Sequence, residues 1–455
     1  MRRTLVLFAL VLSSLSAALF AALRPGPAPS RPDPAQAAWT RSGALRISTR
    51  LERRYLDEKG GGEAYLQIDV AADGPPSQGS RVPVNAVLII DRSGSMAGEK
   101  IERARDAARA LIAALNGEDH LAVIDFASDA HVLVPSTAAT EEAKRRAVLA
   151  VEGLQATTGT NMSAALDLAA PEVARGHDGV RVDKVFLASD GQANEGVSDR
   201  AGLLRTAMRD FGPATVSTFG VGEDYDEDLM TALASQAGGR TRFIRSADEL
   251  IPALRAELAR ASGIVARGVR LEVRGLAGAR VERVLGYQAD GGWVRLPDFA
   301  AGEERRVLVK LVVPAGHGLT DLAMVELAFS DAAGAEHRGQ AAAQATFTRD
   351  HALLGEAPSE AAQWGARAEM AELARHAAVA REQGRAEESR EDVARLNLVA
   401  AKAAAVAPRP LAEAMAAEAR EYDDGVAAIG PAGGAASKKV KQRAFDSVRA
   451  PVAGW

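Results

Sequence analysis

A carboxylate and two hydroxyl side chains alternate along one short segment, as Asp91, Ser93 and Ser95. The segment directly follows the apolar run 84–90 and precedes a stretch with helical periodicity. Gly94 allows the backbone to bend there, so that alternating side chains can point to one side of a tight turn. Oxygen donors of this kind are the ligands that Mg²⁺, Mn²⁺ and Ca²⁺ prefer. Helix capping and turn formation would also explain serine and aspartate at such a junction.

Two later loops carry further oxygen donors. Thr160 lies in the segment 158–161, which leads into a predicted helix, and Asp190 directly follows the apolar run 182–188. In an open α/β sheet, ligands bind at the carboxyl ends of the strands, so both side chains are expected near Asp91. Each of them could also serve only as a cap or a turn residue. Three such loops, in this order at one sheet edge, nevertheless favour a divalent-metal site with the ligands Asp91, Ser93, Ser95, Thr160 and Asp190.

The segment 84–261 alternates between short apolar runs and amphipathic stretches. The runs have the composition of strands that are buried on both faces, and the apolar residues of the other stretches recur with the helical period. This alternation predicts an α/β fold, with a doubly wound, mostly parallel sheet and helices on both of its faces.

The three loops resemble the metal-ion-dependent adhesion site of the von Willebrand factor A domain family. The family pattern is D-x-S-x-S, then a threonine, then an aspartate in a D-G pair at a strand end, and this sequence matches it at all five positions. The order of strands and helices over 84–261 and the phrase Val-Ile-Asp-Phe at 123–126 are similar as well. One departure is Ser189, where a threonine is common in the family, but the hydroxyl is kept.

This resemblance implies a binding mechanism. The serines and the threonine would coordinate the ion directly or through water, and the two aspartates would bind it directly or hold waters. One coordination position would stay open for a Glu or Asp carboxylate of a partner protein. A divalent ion with few direct charged ligands stays electrophilic, which favours an outside carboxylate. Mg²⁺ is the expected ion, with Mn²⁺ and Ca²⁺ as alternatives.

The segments on either side of the α/β region show the period-two alternation of β-strands. Residues 42–82 contain two such stretches around a Gly-rich turn, which predicts an antiparallel hairpin. Residues 263–349 hold short strands with Gly and Asp turns, which is typical of a β-sandwich. Since this module offers few strands, we expect the hairpin to complete it, with the α/β domain (84–261) inserted in its sequence. The Leu-Gly-Tyr triplet at 285–287 also resembles, less specifically, bacterial secreted proteins of the family.

The C-terminal part of the chain has a different character. Residues 358–424 are rich in alanine and show the helical period, so they are predicted as an α-helical region. Their apolar stripes fit either internal packing or the docking of a partner. Residues 425–455 combine a Gly-rich segment with a cluster of Lys and Arg, and they are predicted as a flexible basic tail.

The N-terminus indicates export. Residues 1–24 combine two arginines, an apolar run at 4–23 and an exit marked by proline, which is typical of a signal peptide. The run is also just long enough for an uncleaved membrane anchor. Both interpretations place the body of the protein outside the cytoplasm, in the periplasm or at the cell surface. Residues 25–41 are rich in Pro and Ala and are predicted as a linker.

The composition narrows the classes of function. The 455 residues carry a formal net charge of −5, which gives no indication of a nucleic-acid surface. The chain has no cysteine, so disulfides and thiolate metal sites are excluded. The sequence leaves the oligomeric state open.

Three functions compete on this sequence. The first is a non-enzymatic module that binds a protein partner through the metal, for adhesion or assembly. The second is a metal-dependent phosphoester hydrolase that uses Asp91 and Asp190. Such an enzyme needs a second acid two residues after the nucleophile, and this sequence has Ser93 there. The third is a scaffold in which the metal is only structural. The complete set of five ligands favours the binding module.

Overall fold

The computed structural model describes residues 39–59, 62–74, 82–211, 214–222, 225–244, 252, 256–261, 263–287, 289–430 and 434–449. The predicted signal peptide or anchor (1–24) and most of the predicted linker (25–41) lie outside these residues. The described residues from 39 onward cluster as one unit. Within this part of the chain, every helix is too short or too polar to span a lipid bilayer.

The described chain begins with short strands in which apolar and polar residues alternate. They are β1 (Thr40–Ser42), β2 (Leu45–Leu51), β3 (Tyr55–Asp57) and β4 (Gly62–Ala72). β2 and β4 pair antiparallel, with Ile47 opposite Val70 and Leu51 opposite Leu66. Residues that are directly opposite each other share a face of the sheet, so these apolar side chains are buried together.

The α/β domain follows. Its strands are β5 (Val84–Asp91), β6 (His120–Phe126), β7 (Ala130–Ala138), β8 (Val182–Ser189), β9 (Thr215–Val221) and β10 (Thr241–Ile244). Its helices include α1 (Glu99–Ala114), α2 (Glu141–Glu152), α3 (Met162–Gly176), α4 (Arg200–Asp210) and α5 (Glu227–Gln236), and residues 256–261 are helical as well.

The sheet of this domain has the strand order β10-β9-β8-β5-β6-β7, and β7 is its antiparallel edge strand. The central strand β5 is buried along its whole length. Leu88 and Ile90 pack into a core with α1, whereas Val87 and Ile89 pack into a second core with α3. Helices therefore cover both faces, and the predicted doubly wound α/β fold is confirmed.

Strands return after the α/β domain. They are β11 (Ile264–Gly275), β12 (Arg280–Val284), β13 (Ala289–Asp290), β14 (Trp293–Arg295), β15 (Phe299–Ala300), β16 (Glu304–Val313), β17 (Gly318–Asp331) and β18 (Glu336–Thr348). They form two sheets together with the N-terminal strands, in the orders β1-β2-β4-β16-β12 and β13-β14-β11-β17-β18-β3, and β15 lies beside β11.

The two chain segments of the sandwich share one core. β4 pairs antiparallel with β16, with Ile68 opposite Val307, and β3 pairs with β18 in parallel. Apolar residues from both segments are buried between the sheets. The α/β domain thus lies, in sequence, between two halves of one β-sandwich.

The C-terminal helices are α6 (His351–Leu354), α7 (Glu360–Glu382), α8 (Ala386–Val406), α9 (Arg409–Ala427) and α10 (Ala435–Arg449). The apolar stripe of α7, which includes Met370 and Ala377, is buried among the other helices. Tyr65 on β4 donates a hydrogen bond to Glu369, and Lys310 on β16 lies 2.9 Å from the same carboxylate. These contacts fix α7 on the outer face of the sandwich.

The prediction of a flexible basic tail over 425–455 is wrong for residues 435–449, which form α10. Val440, Ala444 and Val448 recur at helical spacing and are buried in the core of the helical region. Lys441 is nearly buried, with Nζ at 2.8 Å from Asp228 and 2.6 Å from Glu382. The lysines suggested a solvated segment, but this apolar stripe and the ion pairs of Lys441 fix the helix in place.

Candidate metal centre

The first candidate loop begins at the end of β5. Asp91 accepts a hydrogen bond at Oδ1 from the backbone N–H of Ser93, at 2.7 Å. Ser93 Oγ lies 3.1 Å from Ser95 Oγ. Asp91 and Ser93 are buried and Ser95 is exposed. Met96, which is fully buried in the core beneath, fixes this turn to the domain.

The end of β8 contributes the second carboxylate. Asp190 is fully buried, and the preceding residue, Ser189, donates a hydrogen bond from its hydroxyl to Asp91 Oδ2. The same hydroxyl accepts a hydrogen bond from the backbone N–H of Gly191 at 2.8 Å. Ser189 therefore links Asp91 to the loop that carries Asp190. In the sequence this residue was noticeable only as a departure from the family pattern.

The third loop carries Thr160, which is buried. Its backbone N–H donates to Asn194 Oδ1 at 2.9 Å, and its carbonyl accepts from the Asn194 N–H at 3.1 Å. Three residues earlier, the N–H of Thr157 donates to the carbonyl of Arg92 at 2.8 Å. Hydrogen bonds thus join the loop of Thr160 to the loop that follows Asp91 and to the loop that follows Asp190.

Two buried carboxylates, those of Asp91 and Asp190, set the electrostatics of this edge of the sheet. Burial raises the pKa of the Asp91 carboxyl to about 6, although hydrogen bonds from Ser189 and Ser93 lower it, and the negative charge of Asp190 raises it further. Two buried carboxylates beside hydroxyl oxygens are a set of hard oxygen donors with excess negative charge. Their chemistry fits a hard divalent cation, which would offset that charge.

Lys100 is a residue of this centre that sequence reasoning missed. It lies in the first turn of α1, and its Nζ is 3.2 Å from Asp190 Oδ2. The sequence shows only that this cation lies in the first turn of a helix, where it opposes the helix dipole, and does not show which residue it contacts. The acids of that turn, Glu99 and Glu102, pair with Arg103 and Arg105, so the partner of Lys100 comes from outside the helix.

A cluster of ion pairs lies beside the centre. Arg92 stands between two candidate ligands in the sequence, yet its guanidinium pairs with Asp125 and, at 2.7 Å, with Asp129. His131 Nδ1 lies 3.3 Å from Asp125 Oδ1. Asp125, part of the family-like phrase on β6, therefore anchors Arg92. Within the described ranges, His, Asp and Glu side chains do not gather in groups of three or more suited to a metal ion.

Comparison with known proteins agrees with this architecture. The family model of the von Willebrand factor type A domain matches residues 85–256. An uncharacterized protein of Synechocystis sp. is 32% identical over 204 residues, which cover 44% of this chain and 47% of that relative. The chain thus spans about half the length of this curated relative.

Two solved structures share the fold over nearly the whole chain. A von Willebrand factor type A structure from Catenulispora acidiphila has a TM-score of 0.66 at 20% identity, and the match covers 90% of this chain and 99% of that one. The ArnB paralog VWA2 from Sulfolobus acidocaldarius has a TM-score of 0.58 at 17% identity, with coverage of 89% and 99%. The match to the family model supports a von Willebrand factor type A domain over residues 85–256.

Proposed function

We propose that this chain is a binding module, in which a divalent cation held by Asp91, Ser93, Ser95, Thr160 and Asp190 receives a carboxylate of a partner protein. The observation that carries the proposal is the convergence of three loops at the carboxyl edge of β5 and β8, joined through Ser189 and Asn194. A von Willebrand factor type A domain, a module that commonly mediates protein interactions, gives this site its setting.

The residues of this site would contribute two kinds of ligand, neutral oxygens and charged carboxylates. The hydroxyls of Ser93, Ser95 and Thr160 would supply neutral oxygens, and Asp91 and Asp190 would supply the negative charge. Ser189 orients Asp91 through its hydrogen bond. When bound, Mg²⁺, or Mn²⁺ or Ca²⁺ in its place, supplies an electrophilic position for the Glu or Asp carboxylate of the partner.

The same residues argue against hydrolysis of a phosphoester. Ser93 occupies the position two residues after Asp91, where a second acid would be needed, and its hydroxyl lies against Ser95. His131, a candidate acid–base group near this edge, sits between Asp125 and Asp129 in the cluster with Arg92. A purely structural metal would not need a turn that leaves Ser95 exposed to an incoming ligand.

We place this binding activity outside the cytoplasm. The support is the basic and apolar character of residues 1–24, which fits either a signal peptide or a membrane anchor. In this setting the partner is a protein of the periplasm or of the cell surface.

Acetate can stand in for the carboxylate of the partner. The full chain would be loaded with Mn²⁺, and the line width of the acetate methyl proton resonance would be recorded, with acetamide as a neutral probe. We expect strong broadening for acetate, little for acetamide, and loss of the acetate effect in Asp91→Ala. Equal broadening of the acetate signal by the wild type and by Asp91→Ala would refute the proposal.

A further inference from the structure

A lysine of α1 reaches into the candidate metal centre. The Lys100 ammonium lies 3.2 Å from Asp190 Oδ2, and the side chains of the lysine and the aspartate are 22% and 0% exposed. An ammonium group is a compact monovalent cation. The chain therefore places a positive charge of its own on a carboxylate that is proposed to serve a divalent ion.

A glycine leaves the space that the aliphatic part of the Lys100 side chain occupies. Gly222 follows β9, and a Cβ atom at this position would lie 2.4 Å from Cε of Lys100. A side chain at residue 222 would thus occupy the space that the stem fills. This close approach gives Lys100 a defined position beside the strand ends, which a free surface lysine would not have.

The helix itself does not explain this position. Lys100 lies in the first turn of α1, where the partial positive charge of the helix N-terminus disfavours a cation. The acids of the same turn pair elsewhere, Glu99 with Arg103 and Glu102 with Arg105. The attraction that holds the Lys100 ammonium is therefore the one to Asp190.

We propose that Lys100 is an internal competitor of the divalent cation, and that it weakens the affinity of the centre for that ion. This inference rests on the proposed metal-dependent function. In the metal-free protein, the ammonium offsets the buried charge of Asp190. A divalent ion that binds there must share the carboxylate with the lysine or displace it, so the free energy of the ion pair is subtracted from that of ion binding.

The test is a calorimetric titration of the full chain with Mg²⁺. We expect Lys100→Met and Lys100→Gln to bind Mg²⁺ about tenfold more tightly than the wild type, because a positive charge a few ångströms from the ion is removed. Lys100→Arg keeps the positive charge, so its affinity for Mg²⁺ should stay closer to that of the wild type than the affinities of the neutral variants do. Lys144→Met is the matched control, because Lys144 contacts the carbonyl of Leu115 at the opposite end of α1.

Thermal unfolding in EDTA and in Mg²⁺ gives a second readout. We expect Lys100→Met to lower the melting temperature in EDTA, since Asp190 loses its partner, and to lower it less in Mg²⁺. An affinity for Mg²⁺ that is equal to or weaker than that of the wild type, in both neutral variants, would overturn the competition. If only the neutral variants bind Mg²⁺, the competition is supported in its strongest form. If neither they nor the wild type bind the ion, the proposed function fails together with this inference.

Discussion

The carboxylates of Asp91 and Asp190 lie at the ends of neighbouring strands and are stabilised by different partners. Asp91 accepts hydrogen bonds from the Ser189 hydroxyl and from the backbone N–H of Ser93. Asp190 pairs with the ammonium of Lys100. Hydrogen bonds and a nearby cation both favour the charged form of a carboxylate, but only the cation also offsets its charge. The two carboxylates therefore face an incoming cation with different electrostatic environments.

The sequence predicts which residues of the first loop lie together, but it does not predict the contact between Lys100 and Asp190. Asp91, Ser93 and Ser95 belong to one contiguous motif, so that their proximity follows from their spacing. Lys100 reaches Asp190 only because β9 ends beside α1 with a glycine, Gly222, and neither the strand order nor that space can be read from residue types.

Glu227 gives the folded protein a testable pH dependence. Burial raises the pKa of its carboxyl from 4.5 to about 8, although the nearby Lys441 lowers it in part. Between these two pH values the folded state holds a proton that the unfolded state has lost. The free energy of unfolding should therefore fall as the pH rises through this window, by up to about 1.4 kcal/mol per pH unit from this group.

The variant Glu227→Gln removes this titration. Urea denaturation should show it to be more stable than the wild type at pH 8, by about 1 kcal/mol or more, with a smaller difference at pH 5. Glu142→Gln is the matched control, because Glu142 also lies in the first turn of a helix but is exposed. A difference between Glu227→Gln and the wild type that does not change with pH would contradict this assignment.

At the scale of elements, the turn after β8 has a backbone shape that few residues can adopt. Gly191 has a φ of +70°, and a Cβ atom there would lie 3.1 Å from Cβ of Asp226. The carbonyl of Asp190 also accepts a hydrogen bond from the N–H of Asp226 at 2.7 Å. The position of Asp190 thus depends on close packing of this turn against the start of α5.

We expect Gly191→Ala to destabilise the protein by more than about 1 kcal/mol and to weaken Mg²⁺ binding. Gly179→Ala is the matched control, because Gly179 has a φ of +79° but no atom within 4 Å of its Cβ position. The control should lose stability without a change in affinity for Mg²⁺. Titration calorimetry and urea denaturation of both variants separate the two effects, and equal Mg²⁺ affinities of Gly191→Ala and the wild type would show that the turn does not position Asp190.

Strands and helices were predictable from the sequence where their residues gave a single, consistent signal. The apolar run of β5 indicated a strand buried on both faces, and both faces of β5 are covered. In α10, however, two signals conflict, since Lys438, Lys439 and Lys441 suggest a solvated tail while Val440 and Ala444 recur at helical spacing. The outcome depends on acids from other elements, such as Asp228, which pairs with Lys441.

At the scale of the whole molecule, largely buried charges connect the α/β domain to the sandwich. Glu303 lies just before β16, and its carboxylate pairs with Arg240 and Arg260 of the α/β domain. Arg305 of β16 lies 3.2 Å from the same group. Burial would raise the pKa of Glu303, but the guanidinium groups of Arg305 and Arg260 hold it below its usual value. One acid therefore compensates arginines from both domains.

Glu303→Gln should remove the carboxylate that these arginines share. We expect it to lower the free energy of unfolding by roughly 3 kcal/mol, because the guanidinium groups that lose this carboxylate stay largely buried and water solvates them poorly. Glu58→Gln, which removes an ion pair with the exposed Arg349, should cost less than about 1 kcal/mol. Urea denaturation followed by circular dichroism compares the two, and equal losses would argue against a stabilising role for this junction.

The fold brings three loops of the α/β domain to one edge of the sheet, and we propose that this edge binds a divalent cation. The decisive experiment is a calorimetric titration of the full chain and of Asp91→Ala with Mg²⁺, with circular dichroism to check that the variant is folded. We expect saturable binding by the wild type and none by the folded variant, since Asp91 contributes one of the two carboxylates of the site. Equal affinities in the two proteins, or no binding by the wild type, would contradict it.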